Sequence, residues 1–501
     1  MTQAPEQQPQ QATAAAARRK DPIGGPGDLL TMLSAAGLKE RLLFTAAMIA
    51  IYRIGVHIPL PGVDPMAMAK HPELAQNLLG MIDLFTGGAL GKLSIFSMGI
   101  GPYITASIIM QLMAVVIPKL EDLQKNSGEA GRRQLSQYTR YLTVFLAGMQ
   151  SYMLARLLTQ IHGPEVVIVA GPIFLFSATV ILAASALFIM WLGEVITERG
   201  VGNGASLLIF LGIASRLPNM FWQTKESVES GQVPIWGVVV LGSCFLLLIA
   251  LVVCLQQGVR KIRVLGARRV SKQQGIVAPD DYLYLPVNPS GVMAIIFASS
   301  LLMFPTTLMQ FMGRGGGDPG KAAHDMLVGA PGIGSAFKSL ADQAWAQKTW
   351  EFLVREFYAL TSYSTWEHSL VYFILIIFFA FFYASIVLPT KDMAENLRRS
   401  GRAIQGVKPG RPTSEFLEAT LSRLIFIGAV AIAIVAIVPI HVEHATGVVT
   451  LQGLGSTSLI ILVGVAIDTQ RQIITHALSA RYQARGLFKS TGTTTMRKEE
   501  D

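Results

Sequence analysis

Residues 173–196 read IFLFSATVILAASALFIMWLGEVI, and no charge interrupts them before Glu194. At about 1.5 Å per residue, such a run makes a helix just over 30 Å long, the thickness of a bilayer's hydrocarbon core. No water reaches that core, so every backbone group must be satisfied by a helix or a closed barrel. The apolar residues are continuous rather than alternating, which selects the helix.

Working outward, similar runs predict ten spans. They lie at Arg41 to Ile58, Ile95 to Ile117, Tyr141 to Leu158, Ile173 to Ile196 and Gly204 to Leu217. The second five lie at Ile235 to Leu255, Val292 to Phe311, Leu370 to Leu388, Leu424 to Ile440 and Thr457 to Ile467. Composition agrees: 51% of the 501 residues are hydrophobic and 15% charged, against about 25% charged in an ordinary soluble domain. The net charge of +9 raises the question of nucleic acid, and its placement answers it. With the N-terminus inside, the loops facing the cytoplasm hold thirty of the 41 lysines and arginines, and the loops at 161–172 and 441–456 hold none. Positive charge gathers on the cytoplasmic side of membrane proteins, so both ends are predicted there. Residues 1–27, rich in Gln, Ala, Pro and Gly, read as a disordered basic tail rather than a signal peptide, because Arg18-Arg19-Lys20 meets no apolar run. Cys244 and Cys254 stand about 15 Å apart on one helix, too far to pair with each other.

Two irregularities repeat. The fifth and tenth spans are short. The second carries Gly99, Gly101 and Pro102, and the seventh carries Pro305. Interruptions at matching places in two halves point to a duplicated fold with its pathway at the repeat interface. Five spans is odd, so the halves, 28–217 and 218–475, are predicted to be inverted, with a cytoplasmic tail at 476–501. The fold class is an all-α polytopic membrane protein of ten transmembrane helices in two inverted five-helix halves.

Enzyme chemistry is not legible. Gly315 to Ala322 (GGGDPGKA) has Ala322 where a phosphate loop needs a hydroxyl for magnesium, and Gly87 to Ser94 (GGALGKLS) is one residue too tight. His441 and His444 have a spacing compatible with a metal but fall in a predicted solvated loop. No cofactor, metal or catalytic residue is expected. Among ionisable residues in spans, Glu194 and Asp468 lie near an interface, where an ion pair or snorkelling suffices, and Arg53 lies deeper toward the other end. A solute transporter would need a chain of buried acids, which is missing; a membrane enzyme would need a catalytic constellation.

Several stretches carry a resemblance: RIGVHIPLPGVD at 53–64, GGALGKLSIFSMGIGPYITASIIMQL at 87–112, GRRQLSQYTRY at 131–141, MWLGEVITERGVGNG at 190–204, IIFASSLLMFP at 295–305, AENLRRSG at 394–401 and GVKPG at 406–410. Together they resemble the SecY family, central subunits of the protein-conducting channel of the bacterial cytoplasmic membrane. The resemblance implies a channel that passes unfolded secretory polypeptides and releases transmembrane segments sideways. It implies a pore ring of Ile100, Ile104, Ile209, Ile296 and Ile461, the last two with an isoleucine neighbour as alternative. It implies a plug at 81–92 that begins with Met81, Ile82, Asp83, Leu84, Phe85 and Thr86 and has Gly87 and Gly88 as a soft joint. A lateral gate would carry Ser107, Gln111, Ser299 and Ser300. Cytoplasmic loops 259–289 and 389–423 would dock the SecA motor or the ribosome through Arg260, Lys261, Arg263, Arg268, Arg269, Arg398, Arg399, Arg402, Lys408 and Arg411. SecE and SecG would be membrane partners, and signal peptides and nascent chains the substrates. Two departures stand out. Lys408 replaces the family's usual arginine before Pro-Gly, and IVAPDD follows Gly275 where arginines are common.

Overall fold

The computed structural model describes residues 38–64, 86–125, 128–161, 167–168, 171–266, 281–312, 366–446 and 456–484. The tail 1–27, plug residues 81–85, Arg268 and Arg269, Gly315 to Ala322, most of the 312–369 loop and residues 485–501 lie outside the described residues.

The helices are α1 (Leu38–Val56), α2 (Gly101–Val116), α3 (Pro118–Lys125), α4 (Gly128–Ile161), α5 (Pro172–Arg199), α6 (Gly204–Glu229), α7 (Ile235–Gln257), α8 (Met293–Met312), α9 (Trp366–Val387), α10 (Thr390–Arg399), α11 (Arg411–Thr446) and α12 (Ser456–Ala484). Each predicted span coincides with one of them. Six stretches, in α5, α6, α7, α9, α11 and α12, are long and apolar enough to cross a membrane; α2 and the start of α8 are shorter apolar helices.

The differences from the sequence reading have physical causes. The second span begins as helix at Gly101, not Ile95. Leu93 (φ 46°) and Gly99 (φ 54°) take the left-handed conformation, which a right-handed helix cannot absorb. The fifth and tenth spans are short only in their apolar stretch. The α6 helix runs on to 26 residues through QTKESVE, where Lys225 and Glu229 pair at 3.6 Å, and α12 reaches 29. The α8 helix passes Pro305 without a break in assignment. The positions of His441 and His444 belong to α11 rather than to a loop.

A three-stranded antiparallel sheet departs from the all-helical expectation. Its strands are β1 (Val259–Gly266), β2 (Asp281–Pro286) and β3 (Arg402–Ile404), in the order β2-β1-β3. The β1 sequence, VRKIRVLG, alternates: Ile262 and Val264 are buried while Lys261, Arg263 and Leu265 are exposed. That period of two is a half-buried strand. Across the sheet the Arg402 guanidinium meets the Asp281 carboxylate at 2.9 Å. The two basic loops are therefore joined into one body, and the divergent Asp281 is part of the joint.

Most packing falls within α1–α6 or within α7–α12. Among the described residues, the main contacts between the groups are α6 with α12, α2 and α4 with α8, and α1 with α12. Five helices close a circuit: α6 on α12, α12 on α8, α8 on α2, α2 on α5, and α5 on α6. Small residues permit the closest approaches, as between membrane helices generally. A Cβ on Gly204 would overlap the Gly193 carbonyl, and one on Gly464 would overlap Val292. Gly204→Val is expected to lower stability by about 1–3 kcal/mol, the usual cost of overpacking. A thermal-unfolding scan in detergent should show it, and an unchanged midpoint would contradict the close α5–α6 contact.

Candidate functional site

The circuit converges on isoleucine. Ile100 stands at the N-cap of α2, directly before the Gly101-Pro102 that starts the helix. One turn later, Ile104 donates its amide to the Ile100 carbonyl at 3.1 Å. Ile209 lies on α6, Ile296 on α8 and Ile461 on α12. Ile100, Ile209, Ile296 and Ile461 are buried in one continuous apolar cluster, and Ile104, half-buried, packs against it. Ile295 and Ile460 are as deeply buried as their neighbours, so burial does not choose between the alternatives on α8 and α12. Branched apolar side chains from α2, α6, α8 and α12 thus belong to one apolar cluster that extends across both groups.

The turn before α2 is irregular backbone, so its polar groups need partners. They come from several elements. Tyr52 on α1 donates its hydroxyl to the Thr86 carbonyl at 3.2 Å, and Ser215 on α6 donates to the Gly87 carbonyl at 3.3 Å. Ser185 on α5 donates to the Ile95 carbonyl. The chain after α1 adds Leu60 N–H to Leu93 O at 2.8 Å and Ile95 N–H to Ile58 O at 3.0 Å. Phe96 covers Gly55 and stacks with Tyr52, 6.0 Å between ring centroids. Gly87 (φ 72°) and Gly88 (φ 86°) are both left-handed, as a joint requires. Gly87 is tightly held as well: a Cβ there would stand 2.9 Å from the Gly212 Cα.

The RGVGNG turn between α5 and α6 is stitched in the same way. Asn203 caps α6 by accepting the Ser206 amide at 3.3 Å. The Val201 amide donates to Thr45 Oγ1 on α1 at 3.1 Å, the Gly202 amide to Gln472 Oε1 on α12 at 2.9 Å, and the Gly204 amide to Thr197 Oγ1 at 2.8 Å.

The remaining candidates divide. The seam between α2 and α8 exists, but its polar side chains do not bridge it. Gln111 donates to Ser107 within α2 at 3.1 Å, and Ser299 donates to the Ile296 carbonyl within α8 at 3.1 Å; Ser300 is half-buried. An i,i+4 spacing satisfies such groups inside one helix. Arg260, Lys261 and Arg263 are exposed on β1, where Lys261 lies over the Tyr284 ring at 5.7 Å and Arg263 donates to the Tyr282 hydroxyl at 3.4 Å. In α10, Arg398 and Arg399 reach Glu395 at 3.7 and 2.8 Å; Arg411 reaches Glu415 at 2.9 Å, and Lys408 gives its carbonyl to Thr413. Glu194 makes the expected interfacial pair, with Arg140 on α4 at 2.9 Å.

Residues 94–470 match the family model SecY. The protein translocase subunit SecY of Synechocystis sp. is 42% identical over 461 residues, covering 92% of this chain and 96% of that one. A solved SecY, in work on its plug domain as a stabiliser of the closed channel, aligns with TM-score 0.60 at 17% identity, covering 93% and 97% of the two chains. Sec61 from a canine ribosome-channel complex of the endoplasmic reticulum aligns with TM-score 0.53 at 15% identity, covering the same shares.

An apolar ring excludes ions by refusing water. Replacing Ile100, Ile104 and Ile209 together by Gly is expected to raise resting conductance in planar bilayers well above that of the unchanged chain, while Val at the same three positions keeps the seal. Equal conductance in all three proteins would remove these residues from the barrier.

Proposed function

The chain belongs to the SecY family, and from that premise we propose that it is the conducting subunit of a protein translocase, a channel for unfolded polypeptide and not an enzyme. The observation that carries this reading is that Ile100, Ile209, Ile296 and Ile461, from four helices, lie buried in one apolar cluster extending across the two packing groups, with Ile104 packed against it. A passage for chains of any sequence cannot rely on specific hydrogen bonds. It needs a deformable apolar gasket that closes around whatever fills it.

In this reading the chain crosses the cytoplasmic membrane ten times with both ends inside, and residues 28–217 and 218–475 form the two halves. The Thr86–Lys92 turn, docked on α1 and α6, is the visible part of a plug that must leave when the pore fills. Signal peptides and transmembrane segments part α2 and α4 from α8 and leave toward lipid. That seam has no polar bridge from Ser107, Gln111 or Ser299 to break, which favours opening at small cost. The basic loops face the cytoplasm, where the sheet presents Lys261 and Arg263 with Tyr284 and Tyr282 on one face. Such a face suits an RNA phosphate backbone or an acidic motor surface. SecA and the ribosome are the proposed drivers, and SecE and SecG the membrane partners.

Two experiments test this. Cys placed at Ile104 or Ile209 is expected to crosslink to a stalled secretory chain carrying a matching Cys, and Cys at lipid-facing Leu246 on α7 is not. Failure at both ring positions, with solute uptake instead, would sink the channel reading. Second, Arg260, Lys261 and Arg263 replaced by Gln should weaken binding of translating ribosomes and flatten its salt dependence, since fewer counterions are released. An unaltered salt slope would move the docking surface elsewhere.

A further inference from the structure

We infer that a cavity at the cytoplasmic ends of α6, α8 and α12 binds the backbone of an extended polypeptide, whatever its sequence. The inference rests on the channel reading above and names a subsite within it. The cavity measures about 410 Å³, and the last turns of α7 and α9 complete its wall. Helices α6, α8 and α12 are three of the five that close the circuit, and each leads from the cavity to a candidate ring isoleucine. Ser206 stands three residues before Ile209, Met293 three before Ile296, and Asp468 seven after Ile461. At about 1.5 Å per residue the ring lies about 5–10 Å deeper along these helices. A chain entering from the cytoplasm reaches the level of the cavity first.

The wall has the chemistry of peptide groups. Among the described residues one carboxylate, Asp468, and one guanidinium, Arg471, line it, so its charges balance. Most of the other polar groups are amides and hydroxyls, and the protein's own backbone orients two of the amides. The Asn203 side-chain oxygen accepts the Ser206 amide at 3.3 Å, and the Gln472 oxygen accepts the Gly202 amide at 2.9 Å. With those oxygens engaged, each side chain keeps the two donors of its nitrogen. Gln256 adds a further donor: it is 6% exposed, and its Nε2 has no hydrogen-bond partner among the described residues. A buried donor in that state is costly, and an arriving carbonyl is the group it lacks. Arg471 gives one N–H to the Gln256 carbonyl and has others to spare. The strongest acceptor is the Asp468 carboxylate, whose Oδ2 would stand 3.8 Å from a Cβ on Gly291. Asn288 is spent on the turn itself, donating to the Gly291 carbonyl at 2.9 Å and accepting the Ser290 hydroxyl at 2.8 Å.

Such a wall answers a demand of the ring. An unfolded chain carries a donor and an acceptor on nearly every residue, hydrated until it meets apolar side chains. Isoleucine replaces none of those bonds, so entry has a desolvation cost. Amide donors for the chain's carbonyls, and a carboxylate for its N–H groups, satisfy the backbone at the last polar level before the ring. They read no sequence, because every residue presents the same peptide group. The competing occupant is a basic side chain on Asp468. Arg471, one turn further along α12, repels a second cation there.

The test uses the full chain with its co-purifying membrane subunits in proteoliposomes, and a secretory chain stalled in passage. T469C in the cavity and I104C in the ring are each crosslinked to Cys scanned along the stalled chain. Both are expected to react, T469C with positions nearer the cytoplasm. Three segments are then stalled at the cavity: Ala-Ser, the same with one Lys, and a proline run, which lacks N–H groups. Expected are equal T469C yields for the first two and at least threefold less for proline. N203D with Q472E keeps both oxygens and removes their donors, and should lower the Ala-Ser yield at least threefold. Q470E with Q223E adds the same charge outside the cavity and should not. The proline comparison stands even should the N203D, Q472E protein fail to fold. A yield that requires Lys would overturn the backbone reading in favour of basic side chains. Equal yields from Ala-Ser and proline, or from the two charge-matched proteins, would overturn it too. Crosslinking at I104C without T469C removes this site alone; no crosslink at either removes the channel reading beneath it.

Discussion

Backbone that is not helical must find its hydrogen bonds inside the protein when lipid surrounds it, and the architecture follows from how this chain meets that demand. The turn before α2 and the turn between α5 and α6 are irregular backbone packed among apolar helices. Both are held by side chains reaching in from other elements: Tyr52, Ser185 and Ser215 in one case, Thr45, Thr197 and Gln472 in the other. Each such bond ties two or more helices together. The places that break the helical rule are therefore the places where helices are fastened to each other, and α2 and α6 start from them.

Close packing completes what the hydrogen bonds begin. Lipid tails are as apolar as leucine, so apolar contact alone gives membrane helices little reason to prefer one another. Glycines at the crossings change that by letting backbones touch: Gly204 on Gly193, Gly464 under Val292, Gly87 against Gly212. With the crossings fixed, Ile100, Ile209, Ile296 and Ile461 are placed without needing any polar contact of their own. A barrier built from them can yield to a passing chain because none of its members holds a bond that must first break.

Much of this was legible in the sequence, for reasons specific to the medium. Ten apolar runs correspond to ten helices because the bilayer allows a single local solution. The glycines at 87, 88, 99 and 202 marked the irregular turns because only they tolerate left-handed backbone without cost. Helix ends were less readable, since α6, α11 and α12 continue into polar surroundings where charge no longer argues against helix. The sheet was missed because its basic residues drew the eye to charge, although Ile262 and Val264 supply the alternation.

The sheet bears on how force at the basic loops would reach the barrier. Its strand β1 leaves α7 with one intervening residue, and β3 lies shortly before α11. Its buried residues Ile262, Leu285 and Ile404 belong to the same apolar cluster as the ring isoleucines. Continuous packing alone does not make a signal, because coupling requires an element with two arrangements that both ends bias. The Thr86–Gly99 turn is where such an element would be sought. It lies outside any long helix, its fastenings to α1, α5 and α6 are individual hydrogen bonds of modest worth, and α2 starts where it ends.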